Sequence, residues 1–435
     1  MRCRWSTCCL IVFAALSQTA LGQDVVRNDR LSTPPETVEE PLFGARASGA
    51  IRFDYFRSNR LLDDKSNFYG ATLQGKLDAV LASGVDAKID ARATNPDASD
   101  KGDTDASLVE GYVTMRSDQW RVRAGKQIVP WGRTDAINPT DNLTPRDYVV
   151  LLPFDEDQRI GTTALTVDRY LSDELTLSVF TTPYFEPSKI PFPENQVVFV
   201  EQRPPRRLSK SEIGARINKA GGGIDWSASY FHGYSLLPDF RPIGISPAGI
   251  VLQVDYGSTD IFGLDFATNV GRYGFRGEMA YVATSDVSGM DPFGKNPYWF
   301  YVIGGDRTFD GSLNINIQLF GRHVRNYSDP EDIADPIQRS IAVLNAIINS
   351  QQDRNTYGIT ARISKKWLND TLKAEIFAVV NLTRDDSYLR PLITYDATDH
   401  VSLTVGADLY RGLDNTFFGR LKLNRGAFAE VRYSF

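Results

Sequence analysis

The sequence contains few of the residues and segments on which many protein functions depend. All three cysteines lie at Cys3, Cys8 and Cys9, so the rest of the chain has no disulfide, zinc–thiolate site or cysteine nucleophile. Only three histidines are present, and none stands in a recognisable Ser/His or Asp/His arrangement. We therefore predict a protein that is not an enzyme and that uses no cofactor or metal ion.

Two further absences concern charge and hydropathy. The 48 basic and 54 acidic residues are scattered and give a formal net charge of -6, so the clustered basic surface of a nucleic-acid-binding protein is missing. After residue 22, no apolar run approaches the length of a membrane-spanning helix. Hydropathy alone is a poor guide here, because the strands of a membrane barrel carry only a weak, alternating signal.

The first 22 residues have the features of a secretory signal peptide. Arg2 and Arg4 give a positive start, residues 8–16 form a short apolar run, and residues 20–22 are suited to cleavage. Residues 23–46 contain several prolines and no periodic pattern, and we predict that they form a periplasmic arm. The domain predicted below then spans 47–435.

The last ten residues, GAFAEVRYSF, form an alternating strand. Apolar or aromatic side chains occupy every second position up to Phe435, and Glu430 and Arg432 lie on the opposite face. This strand resembles the closing strand of bacterial outer-membrane β-barrels. The resemblance implies export to the outer membrane and recognition of Tyr433 and Phe435 by the barrel assembly machinery. The alternative is an edge strand of a secreted β-sandwich.

The same alternation runs through the chain. Between Val85 and Arg92, aliphatic residues alternate with charged ones, which fits a strand with lipid on one side and water on the other. Strands are predicted at 47–57, 67–79, 84–94, 106–116, 119–128, 159–168, 173–182, 210–219, 223–233, 258–269, 273–284, 297–307, 312–323, 354–365, 371–381, 389–397, 400–410 and 426–435.

These segments predict an all-β fold: a transmembrane antiparallel up-and-down β-barrel of about 18 strands, with 16 as the fallback. Short connections follow every even strand, and long ones follow every odd strand. In outer-membrane barrels the short turns are periplasmic and the long loops are extracellular. Both ends of the barrel are therefore expected on the periplasmic side.

One external connection contains a predicted helix at 335–349. Asp335 is a natural N-cap, and Ile337, Ile341, Leu344 and Ile348 form one apolar stripe. The helix either lies inside the barrel mouth as a partial plug or packs on neighbouring loops. Packing on the loops is the preferred interpretation.

The connection at 129–158 contains tryptophan, arginine and aspartate residues that a simple spacer does not require, together with four prolines. It resembles the loop that narrows the channel of general porins, in which acidic residues face arginines of the wall. Six acidic residues of the connection are expected to face Arg121 and Arg123: Asp135, Asp141, Asp147, Asp155, Glu156 and Asp157. The alternative is an ordered external loop whose Asp and Asn residues make turns around the prolines.

Within this connection, Trp131-Gly132 and Asn138-Pro139-x-Asp141 follow a Gly-Lys-Gln strand end at 125–127. The arrangement resembles a group of poorly characterised outer-membrane proteins, and the resemblance implies a barrel and transport without indicating a substrate.

The charges assigned to the inner wall nearly balance. Arg276 with Glu278 and Lys373 with Glu375 are expected to belong to a lattice of cross-strand pairs. The candidate residues of the constriction and lumen are Arg121, Arg123, Trp131, Arg133, Asp135, Asn138, Asp141, Arg146, Asp147, Arg276, Glu278, Lys373 and Glu375.

Together these features predict a multi-pass protein of the Gram-negative outer membrane that passes small polar solutes through a loop-constricted lumen. The alternatives are a dedicated export pore for a polysaccharide, an uptake channel for apolar molecules, and a structural or adhesive barrel with a plugged lumen. The expected partners are the lipid bilayer and lipopolysaccharide, and a homo-oligomer is left open. No nucleic-acid partner is expected.

Overall fold

The computed structural model describes residues 44–58, 66–96, 104–149, 154–190, 197–247 and 249–435. The predicted signal peptide and most of the predicted arm lie outside these residues, as do the side chains of Asp155 and Glu156. The first described strand begins at Gly44, three positions before the predicted start of the barrel.

Eighteen strands form one closed antiparallel sheet, in which the first strand pairs with the second and also with the last. The barrel strands are β1 (Gly44–Ser58), β2 (Asn67–Ala82), β3 (Val85–Pro96), β4 (Asp105–Arg116), β5 (Trp120–Gln127), β6 (Thr162–Tyr170), β7 (Leu175–Thr182), β9 (Glu212–Lys219), β10 (Ile224–Tyr234), β13 (Ser258–Val270), β14 (Tyr273–Thr284), β15 (Tyr298–Phe309), β16 (Leu313–Val324), β17 (Asn355–Trp367), β18 (Leu372–Asn381), β19 (Asp386–Asp396), β20 (Val401–Arg411) and β21 (Gly426–Ser434).

The predicted barrel of about 18 strands is confirmed, and each predicted strand overlaps one of these. When the eighteen barrel strands are counted in chain order, a short turn follows every second strand, beginning with β2. The longest connections, 128–161, 183–211, 235–257 and 325–354, all lie at the other end of the barrel. Closure removes the exposed sheet edges that an open sheet of this size would present.

Alternation along each strand separates two chemical environments. In β1, Ile51 and Phe53 are exposed on the outer face, whereas Arg52 and Asp54 are buried on the inner face. The same parity leaves aliphatic and aromatic side chains exposed around the outside of the barrel, including Leu73, Ile89, Phe262, Leu319, Ile376 and Val405. An apolar outside and a polar inside are typical of a barrel that crosses a membrane.

A small sheet within the long loops was not predicted. Strand β11 (Asp239–Ser246) forms a hairpin with β12 (Gly249–Asp255), and β12 pairs in parallel with β8 (Val197–Gln202) of an earlier loop. Because Val197 pairs with Ile250, this sheet depends on the meeting of two loops that are distant in sequence.

Two helices are present in the described chain, α1 (Pro336–Ile348) and α2 (Phe417–Arg420). The first confirms the predicted helix, and the Asp335 carboxylate accepts from the amides of Ile337 at 2.9 Å and Gln338 at 2.8 Å as an N-cap. Within the described ranges, neither helix has the length and hydrophobicity needed to cross a membrane.

Candidate functional site

The inner wall carries ion pairs both between neighbouring strands and within one strand. Lys88 of β3 lies 2.7 Å from Glu110 of β4, and Lys373 lies 3.1 Å from Glu375 within β18. Such pairs satisfy charges that face the lumen.

Glu278 of β14 departs from this pattern, because it binds the 128–161 loop and not the neighbouring Arg276. Its carboxylate accepts from the backbone amides of Arg133 and Thr134, the latter at 2.6 Å, and from the Thr140 hydroxyl at 3.1 Å. Arg276 instead lies 3.4 Å from Asp306 of β15. Arg276 thus takes part in a cross-strand pair as expected, whereas the Glu278 carboxylate, which is 4% exposed, is occupied by the loop.

Local sequence explains how the loop backbone reaches this carboxylate. Gly132 has a φ of +100°, and a Cβ there would lie 2.7 Å from Glu278 Oε1. Only glycine combines this backbone conformation with such a close approach. In the amide orientation that satisfies both of its polar atoms, Asn138 also donates to Glu278 Oε1, at 3.2 Å.

Two charged side chains of the loop extend to other strands of the wall. Arg133 Nε lies 2.5 Å from Asp265 of β13, and its Nη2 donates to Asn218 of β9. Asp135 accepts from Arg362 Nε of β17 at 2.9 Å, and Arg362 also bonds Glu375 of β18 at 2.5 Å. Glu375 therefore pairs with both Lys373 and Arg362, the arginine that binds Asp135 of the loop.

Trp131 fixes the loop by apolar packing. It is 6% exposed and belongs to a cluster with Phe180, Phe231 and Val282, which come from three strands of the wall. A Cβ at Gly214 of β9 would lie 2.8 Å from the Trp131 ring, so the absence of a side chain on that strand makes room for the indole.

The end of the loop is held on the opposite arc of the barrel. Asp157 lies 2.6 Å from Arg52 of β1 and 3.4 Å from Arg92 of β3. Together with the contacts of residues 131–140, this places the loop against inward-facing residues of β1, β3, β9, β13, β14 and β17.

The remaining candidate residues pair within the loop or beside it. Asp141 lies 2.7 Å from Arg159 and 3.8 Å from Arg146. Asp147 lies 2.8 Å from Lys189 of the next long loop.

The structure places Arg121 and Arg123 against residues of the wall. Arg121 lies 2.8 Å from Asp168 of β6, and the Arg123 guanidinium lies 4.7 Å from the centre of the Tyr112 ring. The four predicted loop acids whose side chains are described have the other partners given above. Residue types alone indicated acids facing arginines, whereas the partners depend on where the loop crosses the barrel.

An apolar cluster fills the barrel end from which the long loops emerge. This mouth cluster comprises Ala136, Ile137, Tyr148, Phe185, Ile190, Leu237, Phe240, Leu252, Val254, Tyr256, Val302, Ile341, Leu344, Ile347, Ile348, Phe377, Val379, Tyr388, Tyr410, Phe417, Phe418 and Leu421. It joins loop residues to inward-facing residues of β15 and β18–β20, so the inner face is not polar along its whole height.

Helix α1 combines the two positions predicted from the sequence, against the neighbouring loops and in the barrel mouth. It packs on a neighbouring loop, where Asn345 accepts from the Phe240 amide at 2.8 Å and donates to the Phe240 carbonyl at 2.7 Å. Its C-terminal end also meets the wall, because Arg322 of β16 donates to the carbonyls of Asn349 and Ser350 at 2.7 and 3.0 Å.

A buried ion pair ties the loops around α1 together. Lys295 Nζ lies 3.0 Å from Asp239 Oδ1 and 2.7 Å from the Leu237 carbonyl, and Asn349 donates to the same Asp239 oxygen at 2.9 Å. Burial lowers the pKa of the Lys295 ammonium and raises the pKa of the Asp239 carboxyl, because the ionised forms lose hydration.

Two adjoining open cavities lie between the 128–161 loop and the end of α1. Both are open to solvent, and both are lined by Asn138, Phe300, Arg322 and Ser350. They lie beside the mouth cluster, where Ile347 and Phe417 line one of them.

The three histidines do not line these cavities. His232 Nδ1 is 2.9 Å from Asp260 on the exposed outer surface, and His400 Nδ1 is 2.9 Å from the Ser434 carbonyl. In the part of the chain that the structure describes, no group of three or more His, Cys, Asp or Glu residues is arranged to hold a metal ion.

Comparisons with known proteins agree with this architecture. A family model described as "Protein of unknown function (DUF1302)" matches residues 36–410. A comparison with curated proteins found no match. Among solved structures, Acinetobacter baumannii OccAB1 is 9% identical, with 93% of this chain and 99% of that chain covered and a TM-score of 0.55.

Two Pseudomonas aeruginosa structures are similar to the same degree. OccK9 (OpdG) is 10% identical over 90% of this chain and 97% of its own, with a TM-score of 0.54. OpdK, solved with vanillate, is 8% identical over 90% of this chain and 98% of its own, with a TM-score of 0.53. At these identities the likeness concerns the fold.

Proposed function

The chain belongs to the DUF1302 family, and we propose that it is a channel of the Gram-negative outer membrane. Small polar solutes pass through its lumen, which the 128–161 loop narrows. The observation that carries this proposal is the attachment of one loop to inward-facing residues on both arcs of the barrel, at Glu278 and Arg362 on one side and at Arg52 on the other.

Placement in the outer membrane is supported by the two faces of the barrel. Exposed aliphatic side chains cover the outside, as the lipid-facing surface of a membrane barrel requires. Trp226, Tyr230, Trp299 and Tyr301 are partly exposed on that surface, where amphipathic rings suit the boundary between lipid and water. The resemblance in fold to OccAB1 and OpdK is consistent with this placement.

The end of the chain supports the proposed interaction with the assembly machinery. Phe435 exchanges backbone hydrogen bonds with Gly49 at 2.9 and 3.0 Å, so the terminal residue continues the β1–β21 pairing. Its ring and that of Tyr433 are exposed. Contact of the barrel with lipopolysaccharide stays a prediction, and a homo-oligomer stays an open alternative.

Bilayer recordings test the channel directly. The purified protein is expected to conduct in planar membranes and, because inward charges of the two signs nearly balance, to give a reversal potential close to zero in a salt gradient. A protein that never conducts, even with the loop deleted, contradicts the proposal. Strong selectivity for anions would show that the charges facing the lumen are assigned incorrectly.

Uptake of apolar molecules is a second candidate, and the mouth cluster is the observation that favours it. Aromatic and aliphatic side chains of the wall and the loops meet there around open cavities. Liposome uptake assays with a sugar and with a hydrocarbon of similar size distinguish the candidates, because only a polar pathway admits the sugar. Polysaccharide export stays a prediction.

A further inference from the structure

Arg322 differs from the inward-facing arginines that bind the 128–161 loop. Arg362 pairs with Asp135 and Glu375, and Arg52 pairs with Asp157. Arg322 donates through Nη1 to two backbone carbonyls. Within the described residues no carboxylate forms an ion pair with it, and its Nε and Nη2 groups have no hydrogen-bond partner.

The carbonyl partners do not neutralise this cation. Carbonyls at a helix C-terminus carry partial negative charge, equivalent to roughly half an elementary charge for a whole helix end. The guanidinium lies over two aromatic rings of β15, with its central carbon 4.7 Å from the centre of the Tyr298 ring and 4.4 Å from that of the Phe300 ring. A positioned guanidinium with unused donors is suited to binding a carboxylate.

The other charged groups around the two cavities neutralise one another. Arg384 lies 2.5 Å from Asp353 in one cavity, and Lys295 of the other cavity lies 3.0 Å from Asp239. Arg322 lines both cavities, so it is the charge that is left without a counter-ion among their described lining residues.

The surface of the cavity beside the mouth cluster is mostly apolar. Its apolar lining comes from Ile137, Phe320, Ile347, Val379, Phe417 and Phe418, in addition to Phe300. An apolar cavity with a few converging polar groups is the usual form of a small-molecule site. A ligand that fits it has an apolar body and a single negative charge placed at Arg322.

We propose that the cavity at Arg322 binds a small organic monoanion with an apolar body, directly outside the loop that narrows the channel. Access to the cavity rests on the proposed channel function, and the binding itself does not require conduction. The site would capture solutes before they pass Ile137 and Asn138 of the loop.

Three probes separate the parts of this proposal in calorimetric titrations of the purified, detergent-solubilised protein. Cyclohexanecarboxylate has both the charge and the apolar body, cyclohexanecarboxamide keeps the shape without the charge, and acetate keeps the charge without the body. We expect saturable binding of the carboxylate, with the amide and acetate each weaker by about tenfold or more, because charge-assisted bonds and apolar burial both contribute.

Variants identify the site. Arg322→Gln should remove the preference for the carboxylate over the amide, and Arg322→Lys should keep part of it. Val379→Phe should weaken the binding of both the carboxylate and the amide, because the larger side chain fills the cavity while Arg322 stays in place. Arg276→Gln, which removes an inward cation that lines neither cavity, is the matched control and should bind like the wild type.

The proposal is overturned if the wild type shows no saturable binding, if carboxylate and amide bind equally, or if Arg322→Gln keeps the preference. Should Arg322→Gln fail to fold, Arg322→Lys and Val379→Phe still decide the question. Conductance measured without probes keeps the two proposals apart. A protein that conducts but does not bind refutes the site alone, and one that binds but never conducts refutes the channel alone.

Discussion

Replacing Glu278 should release the 128–161 loop from the wall. The carboxylate accepts from the amides of Arg133 and Thr134 and from the Thr140 hydroxyl. A hydrogen bond to a charged group contributes about 1.5–3 kcal/mol, so three such bonds give an upper bound of about 5–9 kcal/mol. Water in the lumen replaces some of these hydrogen bonds, so we expect Glu278→Ala to weaken the attachment of the loop to the wall by a few kcal/mol.

Single-channel recording measures the consequence. Glu278→Ala should raise the conductance or produce frequent transitions to a larger open level, because the loop loses one of its attachments to the wall. Glu278→Gln keeps an acceptor oxygen without the charge, and charge-assisted bonds are about twice as strong as neutral ones. Its effect should therefore lie between those of the wild type and the alanine variant.

Asp306→Asn is the matched control for the change in lumen charge. Asp306 is an inward carboxylate that pairs with Arg276 near the short-turn end of the barrel. The Asp306→Asn variant should alter ion selectivity slightly and leave the conductance of the open level unchanged. If Glu278→Ala and Asp306→Asn have the same conductance as the wild type, the loop does not control the width of the channel.

Further predictions concern the packing of the loops and the last strand. Trp131→Ala removes a buried aromatic, should cost about 3–5 kcal/mol of loop anchoring and should make the loop sensitive to protease, whereas Trp226→Ala on the outer face should not. Asp239→Ala leaves the Lys295 ammonium buried without its ion-pair partner, and it should weaken the protection of the α1 amides in hydrogen exchange by about 3–5 kcal/mol. A double variant with Leu at 239 and Met at 295 should be nearly neutral. Equal loss of protection in the single and the double variant would contradict this reasoning. Deletion of Phe435 should reduce the amount of folded barrel in outer membranes, and full assembly without it would refute the role given to the terminal residue.

The alternation of side chains was sufficient to predict the barrel strands. In β3, charged residues at every second position can face only one side of a pleated strand, so parity follows from sequence alone. The parity also identified Glu278 as an inward residue. It did not identify the loop amides as its partners, because those lie about 140 positions earlier in the chain.

The loop sheet and the mouth cluster were beyond the reach of local patterns. Strand β8 pairs with β12 only because two long loops are brought together by the barrel. Val302, Phe377 and Val379 are inward-facing and apolar, and their partners in the cluster include residues of α1 and the loops. The apolar stripe of α1 was visible in the sequence, but the surface that covers it was not.

The most direct test of the channel with a loop-narrowed lumen compares the conductance of the full chain with that of a chain lacking residues 131–147. Both proteins are reconstituted in planar bilayers at the same salt concentration, and the size of single openings is measured. The deletion removes the segment bound to Glu278 and Arg362, so its openings should be larger than those of the full chain. Equal openings, or no conductance from either protein, would contradict this account.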